Sequence, residues 1–218
     1  MGAEFELVVF DWDGTLMDST ASIVSSIRAG CADLGLNVPS IEAARHVIGM
    51  GLSEALHYAV PELEEADYPK LAERYRFHYL AHDQDLVLFD GVEDLLRDLR
   101  EQSHLLAIAT GKSRRGLNRV LEQTGLGVYF DATRCADESF SKPHPAMLLE
   151  LMDELVAEPE RTLMIGDTTH DLLMASNAGA CAVGLSCGAH PVEQLEALGP
   201  LAVLDSVAEV GAWLRANG

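Results

Sequence analysis

The sequence LVVFDWDGT, residues 7–15, joins four apolar residues to two carboxylates and a glycine. A short apolar run without polar alternation is typical of a strand that is buried on both faces. Residues i and i+2 of an extended segment point to the same side, so Asp11 and Asp13 lean the same way at the end of this strand. Two like charges in that position repel, and they persist where a cation or a shared proton offsets the repulsion. The segment therefore predicts a buried strand that ends at a chemical site.

Three more segments of this kind follow: LLAIAT at 105–110, LMIGD at 163–167 and CAVGLS at 181–186. Between the apolar runs, residues 91–102, 113–126 and 144–156 carry apolar side chains at the three- and four-residue spacing of amphipathic helices. Buried strands that alternate with helices predict an α/β fold with a doubly wound, Rossmann-like parallel sheet.

Residues 19–85 interrupt this alternation. They contain helical patterns, beginning with Ser19 or Thr20 as a helix N-cap, and no evident strand. We therefore predict a core formed by residues 1–18 and 86–218, with an all-helical cap domain at 19–85 inserted after the first strand.

Composition excludes several classes of function. The 218 residues carry 15 Lys and Arg against 35 Asp and Glu, a formal charge of −20, which argues against nucleic acid and anionic membranes as partners. No apolar run approaches the length of a membrane span, and the first residues lack the basic start of a secretory signal. The four cysteines form no C-x-x-C pair, so we expect reduced thiols in a cytoplasmic protein rather than a zinc or disulfide framework.

Four polar motifs fall at strand ends or before helices, where open α/β sheets bind their ligands. A single aspartate in such a place is often only a helix N-cap. Together, however, the motifs gather four aspartates and two of the only three lysines in the chain. The motifs are D-x-D-G-T at 11–15, T-G-K-S at 110–113, S-K-P at 141–143 and G-D-x-x-x-D at 166–171.

This combination of residues predicts phosphoryl transfer. A carboxylate such as Asp11 can attack phosphorus and form an aspartyl-phosphate. Mg²⁺ prefers oxygen ligands and commonly takes one or two carboxylates together with phosphate oxygens, a task that suits Asp11 and Asp167. Asp13, two residues beyond the nucleophile, is then the general acid and base that serves the leaving alkoxide and the attacking water.

The remaining motif residues are expected to hold the phosphate. Lys142 would offset the charge of the nucleophile and of the phosphoryl group. The Thr110 hydroxyl and backbone N–H groups, with Gly14 and Gly111 as candidates, would bind phosphate oxygens. The expected substrate is a small phosphorylated metabolite.

The segments DWDGTL, ATGKS, SKPHP and IGDTTHD, in that order, resemble the four signature motifs of the haloacid dehalogenase superfamily. Within it, the chain resembles the phosphoglycolate phosphatase-like branch, whose members carry a helical cap after the first motif. The resemblance implies Asp11 as nucleophile, Asp13 as acid/base whose main-chain carbonyl also binds Mg²⁺, and Asp167 as a metal ligand. It implies Asp171 as a metal-site carboxylate that acts through water.

The sequence departs from the family pattern at two positions. Gly111 stands where the family often has Asn, which removes any side-chain contact to substrate there. Trp12 is bulkier than the usual aliphatic residue, and we expect it to pack rather than participate. The turn IGMGL at 48–52 fits either a cap loop that closes over substrate or an ordinary turn between helices.

The sequence thus predicts a Mg²⁺-dependent phosphatase that works through an aspartyl-phosphate. Its substrate could be phosphoglycolate-like, a sugar phosphate, a nucleotide or pyrophosphate. A sugar-phosphate mutase uses the same aspartate pair and stays open, as does a silent binding or regulatory module, although no motif is broken. A dehalogenase is disfavoured because its chemistry would leave Asp13 and Asp167 without a role. The sequence leaves the oligomeric state open.

Overall fold

A parallel sheet forms the centre of the computed structural model, which describes residues 5–82 and 86–217. Among these residues the strands are β1 (Leu7–Phe10), β2 (Met17–Asp18), β3 (Val87–Leu88), β4 (Leu105–Thr110), β5 (Ala132–Cys135), β6 (Thr162–Gly166), β7 (Cys181–Leu185) and β8 (Ala202–Leu204). Six of them form one sheet in the order β5-β4-β1-β6-β7-β8, with parallel pairing throughout, whereas β2 pairs antiparallel with β3.

Strand β1 lies at the middle of the sheet and is fully buried, as its unbroken apolar sequence predicts. It pairs with β4 on one side and β6 on the other, and Phe10 is level with both Ile108 and Ile165. The carboxyl ends of three neighbouring strands therefore meet at one edge of the sheet.

Helices cover both faces of the sheet. In chain order they are α1 (Thr20–Asp33), α2 (Ile41–His46), α3 (Leu52–Ala59), α4 (Tyr68–Ala81), α5 (Val92–Glu101), α6 (Arg114–Thr124), α7 (Ala146–Leu155), α8 (Thr169–Ala178), α9 (Val192–Glu196) and α10 (Val207–Asn217). Val8 and Phe10 of β1 pack with apolar residues of α5, α6 and α10. Leu7 and Val9 point the other way and pack with α7 and α8. The doubly wound architecture predicted from the sequence is confirmed.

Helices α1 to α4 share a hydrophobic cluster of their own, which includes Ile27, Leu56 and Leu71. No strand occurs between residues 19 and 82. The predicted boundary at residue 85 lies outside the described residues, so the exact limits of the cap stay a prediction. In the described part of the chain, no helix combines the length and the apolar character needed to cross a membrane.

Candidate active site

Three buried carboxylates meet at the edge where β1, β4 and β6 end. Asp11 follows β1, Asp167 follows β6, and Asp171 lies in the first turn of α8. Each offers an oxygen within 4.8 Å of an oxygen from the other two, and all three residues are fully buried. Asp11 and Asp167 are 156 residues apart along the chain, and parallel pairing of β1 with β6 brings them together.

Lys142 provides the positive charge at the centre of this cluster. Its Nζ lies 2.8 Å from Asp11 Oδ1 and 2.6 Å from Asp171 Oδ1, with the side chain completely buried. Although burial lowers the pKa of this lysine, the charges of Asp11 and Asp171 outweigh that effect and hold the pKa above its ordinary value. Lys142 is therefore a permanent cation in the site.

The Asp11 carboxylate is only half satisfied. Its Oδ2 is buried and accepts no hydrogen bond from the described residues, and burial raises the pKa of the group despite the opposing charge of Lys142. A buried carboxylate oxygen without a donor is costly unless a cation or a reacting atom faces it. Three carboxylates against one ammonium also leave a surplus of negative charge. The donor set, made entirely of oxygen, fits a hard divalent cation such as Mg²⁺.

Asp167 is held rigidly by two donors. The Thr15 hydroxyl donates to Oδ1 at 2.8 Å, and the Ala189 N–H donates to Oδ2 at 2.6 Å. Burial, followed by the charge of Asp171, raises the pKa of Asp167 to about 7. Neither donor is predicted from the sequence. Thr15 belongs to the first motif, but only the fold brings the loop after β7 to Asp167.

Asp171 has a structural task as well. Its Oδ2 accepts hydrogen bonds from the backbone N–H and the hydroxyl of Thr168, which in turn caps α8, while Oδ1 accepts from Lys142. Thr168 is the N-cap of α8, and Asp171 is the third helical residue of the same capping box. Because both oxygens already have partners, this arrangement suits a contact to a cation through water rather than direct coordination.

Asp13 has a separate set of partners. Ser19 Oγ donates to its Oδ1 at 2.6 Å, and Lys112 Nζ lies 2.9 Å from its Oδ2. The sequence predicts Ser19 only as a helix N-cap and predicts no separate role for Lys112. Trp12, between the two aspartates, is fully buried in the sheet core, as expected.

Of the residues expected to bind phosphate, Thr110 has a hydroxyl that can donate, and Gly111 lies against the turn at 48–52. The Thr110 hydroxyl is buried and accepts a hydrogen bond of 3.2 Å from the backbone N–H of Lys112. The hydroxyl hydrogen of Thr110 can therefore be donated to another oxygen. Gly111 lies against the cap turn, because a Cβ at this position would be 2.3 Å from the carbonyl oxygen of Met50. The unusual glycine therefore permits close approach of the turn at 48–52, whose Gly51 N–H also donates to Ser141 Oγ at 2.7 Å.

Gly14 differs from expectation. Its N–H donates to the Met17 carbonyl at 2.8 Å and is not available for a phosphate oxygen. Its φ of +81° is instead suited to glycine, and a Cβ here would lie 2.2 Å from Asp167 Oδ2. Gly14 makes room for the Asp167 carboxylate.

A second group of residues connects α2 to the edge of the site. Arg45 Nη2 donates to the Gly188 carbonyl at 2.9 Å, and the ring Nε2 of His170 lies 2.7 Å from the His46 carbonyl oxygen. Burial lowers the pKa of His170. Arg45 and His170 thus connect α2 to the loop after β7 and to α8.

Comparison with known proteins gives a consistent result. The profile of the family described as Haloacid dehalogenase-like hydrolase matches residues 8–185. The chain is 39% identical to "Probable phosphatase IndB" of Dickeya dadantii over 94% of this chain and 91% of that protein. It is 33% identical to "Phosphoglycolate phosphatase" of Agrobacterium fabrum, over 93% and 89%. A solved hydrolase from Pseudomonas syringae has the same fold, with a TM-score of 0.88 and 23% identity, over 97% and 99% of the two chains.

Proposed function

The chain belongs to the haloacid dehalogenase-like hydrolase family, and from that premise we propose that it is a Mg²⁺-dependent phosphatase for a small phosphorylated metabolite. The relatives named as phosphatases support this activity, and the phosphoglycolate phosphatases among them favour a small phosphorylated acid. The observation that carries the proposal is the Asp11 carboxylate, which is buried, paired with Lys142 on Oδ1 and unpartnered on Oδ2.

In the proposed reaction, Asp11 Oδ2 attacks phosphorus while the bond from phosphorus to the ester oxygen breaks. Asp13 acts as the general acid and gives a proton to the departing oxygen, and an aspartyl-phosphate remains on Asp11. Asp13 then takes a proton from water, the water oxygen attacks phosphorus, and inorganic phosphate leaves with the Asp11 carboxylate restored. Lys142 and the Thr110 hydroxyl stabilise the negative charge that develops on the phosphoryl oxygens.

The metal would be held by Asp11, Asp167 and the main-chain carbonyl of Asp13, with Asp171 acting through water. When bound, Mg²⁺ supplies positive charge that polarises the phosphoryl group and offsets the repulsion between substrate and carboxylates.

We also propose the division of labour between two parts of the chain. Residues 1–18 and 86–218 would form the catalytic core, and residues 19–85 the cap that excludes water and selects the leaving group. The separate hydrophobic cluster of α1 to α4 supports this division. Because all four cysteines are free thiols, the cytoplasm is the proposed location.

The test is phosphate release with Mg²⁺ from a panel of phosphomonoesters, pyrophosphate and glucose 1-phosphate. We expect Asp11→Asn to lower kcat at least about a thousandfold, because removal of a covalent nucleophile leaves only binding and electrostatic stabilisation. Thermal unfolding of this variant should stay close to wild type. Asp153→Asn, on the exposed side of α7, is the matched control and should keep full activity.

Retained turnover in Asp11→Asn would rule out the nucleophile assignment. Conversion of glucose 1-phosphate to its isomer without phosphate release would replace the phosphatase with a mutase.

A further inference from the structure

Lys112 is buried between the site and the helical cap. Its Nζ lies 2.9 Å from Asp13 Oδ2 and 3.0 Å from the hydroxyl of Tyr79, a buried residue of α4, and 4.9 Å from the centre of the Tyr79 ring. Its side chain is 9% exposed. Burial lowers the pKa of Lys112, but the charge of Asp13 and the nearby tyrosines Tyr79 and Tyr75 raise it above the ordinary value. The residue is thus a cation at the contact between the two parts of the chain.

Neither oxygen of Asp13 is free in this arrangement. Ser19 Oγ donates a hydrogen bond to Oδ1, and the Lys112 ammonium forms an ion pair with Oδ2. To serve the ester oxygen of a substrate, one of these oxygens must face the substrate. Ser19 is fixed at the start of α1 and is itself buried, whereas Lys112 has a long side chain that can change partner.

Release of Asp13 by Lys112 has an energetic cost. A buried ammonium that loses its carboxylate partner is strongly unfavourable, and the neutral hydroxyl and ring of Tyr79 replace only part of the interaction. A second anion, brought by the substrate, would offset this cost. A substrate with a neutral leaving group would leave Lys112 on Asp13.

We propose that Lys112 selects phosphomonoesters whose leaving group carries its own negative charge, because that charge takes Lys112 from Asp13 Oδ2. The inference rests on the proposed phosphatase function and names its substrate class. The anion is a carboxylate or a second phosphate close to the ester oxygen, and Tyr79 keeps the ammonium at the contact with the cap during the exchange. Lys112 is therefore a specificity residue, whereas Lys142 forms an ion pair with the proposed nucleophile, Asp11.

The experiment compares substrates that differ only in this charge. 2-Phosphoglycolate and 2-hydroxyethyl phosphate both have a two-carbon leaving group, which ends in a carboxylate in the first and in a neutral hydroxyl in the second. Ethylene glycol bisphosphate provides the second-phosphate arm. We expect wild type to show a kcat/KM at least about tenfold higher for an anionic substrate than for 2-hydroxyethyl phosphate, the size typical of a charge-assisted contact. The better of the two anionic substrates identifies the source of the charge.

Variants then assign the preference to Lys112. Lys112→Met should reduce the ratio of the two kcat/KM values at least about tenfold, and Lys112→Arg should restore much of it. Lys112→Gln provides a second neutral variant if Met disturbs the packing. Lys70→Met, which removes an exposed cap lysine paired with Asp67, is the charge-matched control and should keep the wild-type ratio.

The possible failures are distinct. An equal loss on charged and neutral substrates in Lys112→Met would show a merely structural role and overturn the inference. Equal hydrolysis of both classes by wild type would also overturn it, while the phosphatase function would stand. No hydrolysis of any of these esters with Mg²⁺ would overturn the proposed function and the inference with it.

Discussion

Gly14 lies between the first motif and the Asp167 carboxylate, with a backbone conformation that suits glycine. Its value to the site is the space left by the missing side chain, since a Cβ would come within 2.2 Å of Asp167 Oδ2. Asp167 cannot move away easily, because Thr15 and Ala189 hold both of its oxygens. A methyl group at residue 14 should therefore displace the carboxylate that we propose as a metal ligand.

We expect Gly14→Ala to lower kcat/KM at least about a hundredfold and to weaken activation by Mg²⁺, as misplacement of a catalytic constellation by about 1 Å does. Gly199→Ala is the matched control, because Gly199 also has a positive φ, +64°, but open space around it. Both variants should lose about 1–2 kcal/mol of unfolding free energy from backbone strain, measured by urea denaturation. Equal kinetics in the two variants would contradict the steric argument.

The residues of the candidate site are recognisable in the sequence, but the partners that surround them in the fold are not. Asp11 and Asp167 follow apolar runs, so their location at strand ends follows from local pattern alone. The Ala189 N–H that holds Asp167 comes from a loop 22 residues later, and the pairing of Lys112 with Asp13 joins residues 99 positions apart. Such contacts depend on which strands become neighbours, which no local pattern specifies.

Ser19, just before α1, shows that a tertiary contact can replace the capping hydrogen bond that the local sequence predicts. The sequence predicts an N-cap there, and α1 does begin at Thr20, but the Ser19 hydroxyl makes no capping hydrogen bond and donates to Asp13. Ser40 of α2, by contrast, accepts from the Ala43 N–H as a true cap does. The same residue type therefore stabilises a helix in one place and orients a carboxylate of the candidate site in another.

This difference gives a prediction for two otherwise similar variants. Ser19→Ala should reduce kcat about tenfold or more, because the Asp13 carboxylate loses a buried hydrogen bond that fixes its orientation. Ser40→Ala should cost about 1 kcal/mol of stability as a lost cap and leave kcat/KM unchanged. Steady-state kinetics and urea unfolding measure the two effects. A loss of activity in Ser40→Ala equal to that in Ser19→Ala would contradict the assignment.

The position of a strand in the sheet decides whether the sequence predicts it. β1 is buried along its whole length, and its apolar sequence identifies it directly. β5 and β8 lie at the two edges of the sheet, and β8 has only half-buried residues. Edge strands need neither a continuous apolar run nor great length, so the sequence pattern did not reveal them.

The protein has a formal charge of −20, and several of its carboxylates are buried in the candidate site. Burial raises the pKa of Asp11 and brings the pKa of Asp167 to about 7. Both values exceed those of the unfolded chain, so the folded state binds more protons between about pH 4 and pH 7. Without a cation, the contribution of these groups to stability must therefore fall as the pH rises through that range.

Mg²⁺ should reverse this loss, because a cation at the carboxylates favours their ionised forms. We expect saturating Mg²⁺ to raise Tm by about 5 °C or more at pH 8 and by clearly less at pH 5, where protons compete for the same oxygens. EDTA should remove both the stabilisation and the phosphate release, and added Mg²⁺ should restore them.

The measurement compares Tm with and without Mg²⁺ at each pH, at an ionic strength matched with NaCl. The difference between the two Tm values cancels the titration of groups distant from the site. Asp167→Asn should lose most of the Mg²⁺-dependent shift at pH 8, whereas Asp153→Asn should retain it. An equal shift at both pH values, or an unchanged shift in Asp167→Asn, would show that Mg²⁺ binds elsewhere. The carboxylates would then depend for their stability on the protein's own partners, Lys142 for Asp11 and Asp171 and the donors Thr15 and Ala189 for Asp167.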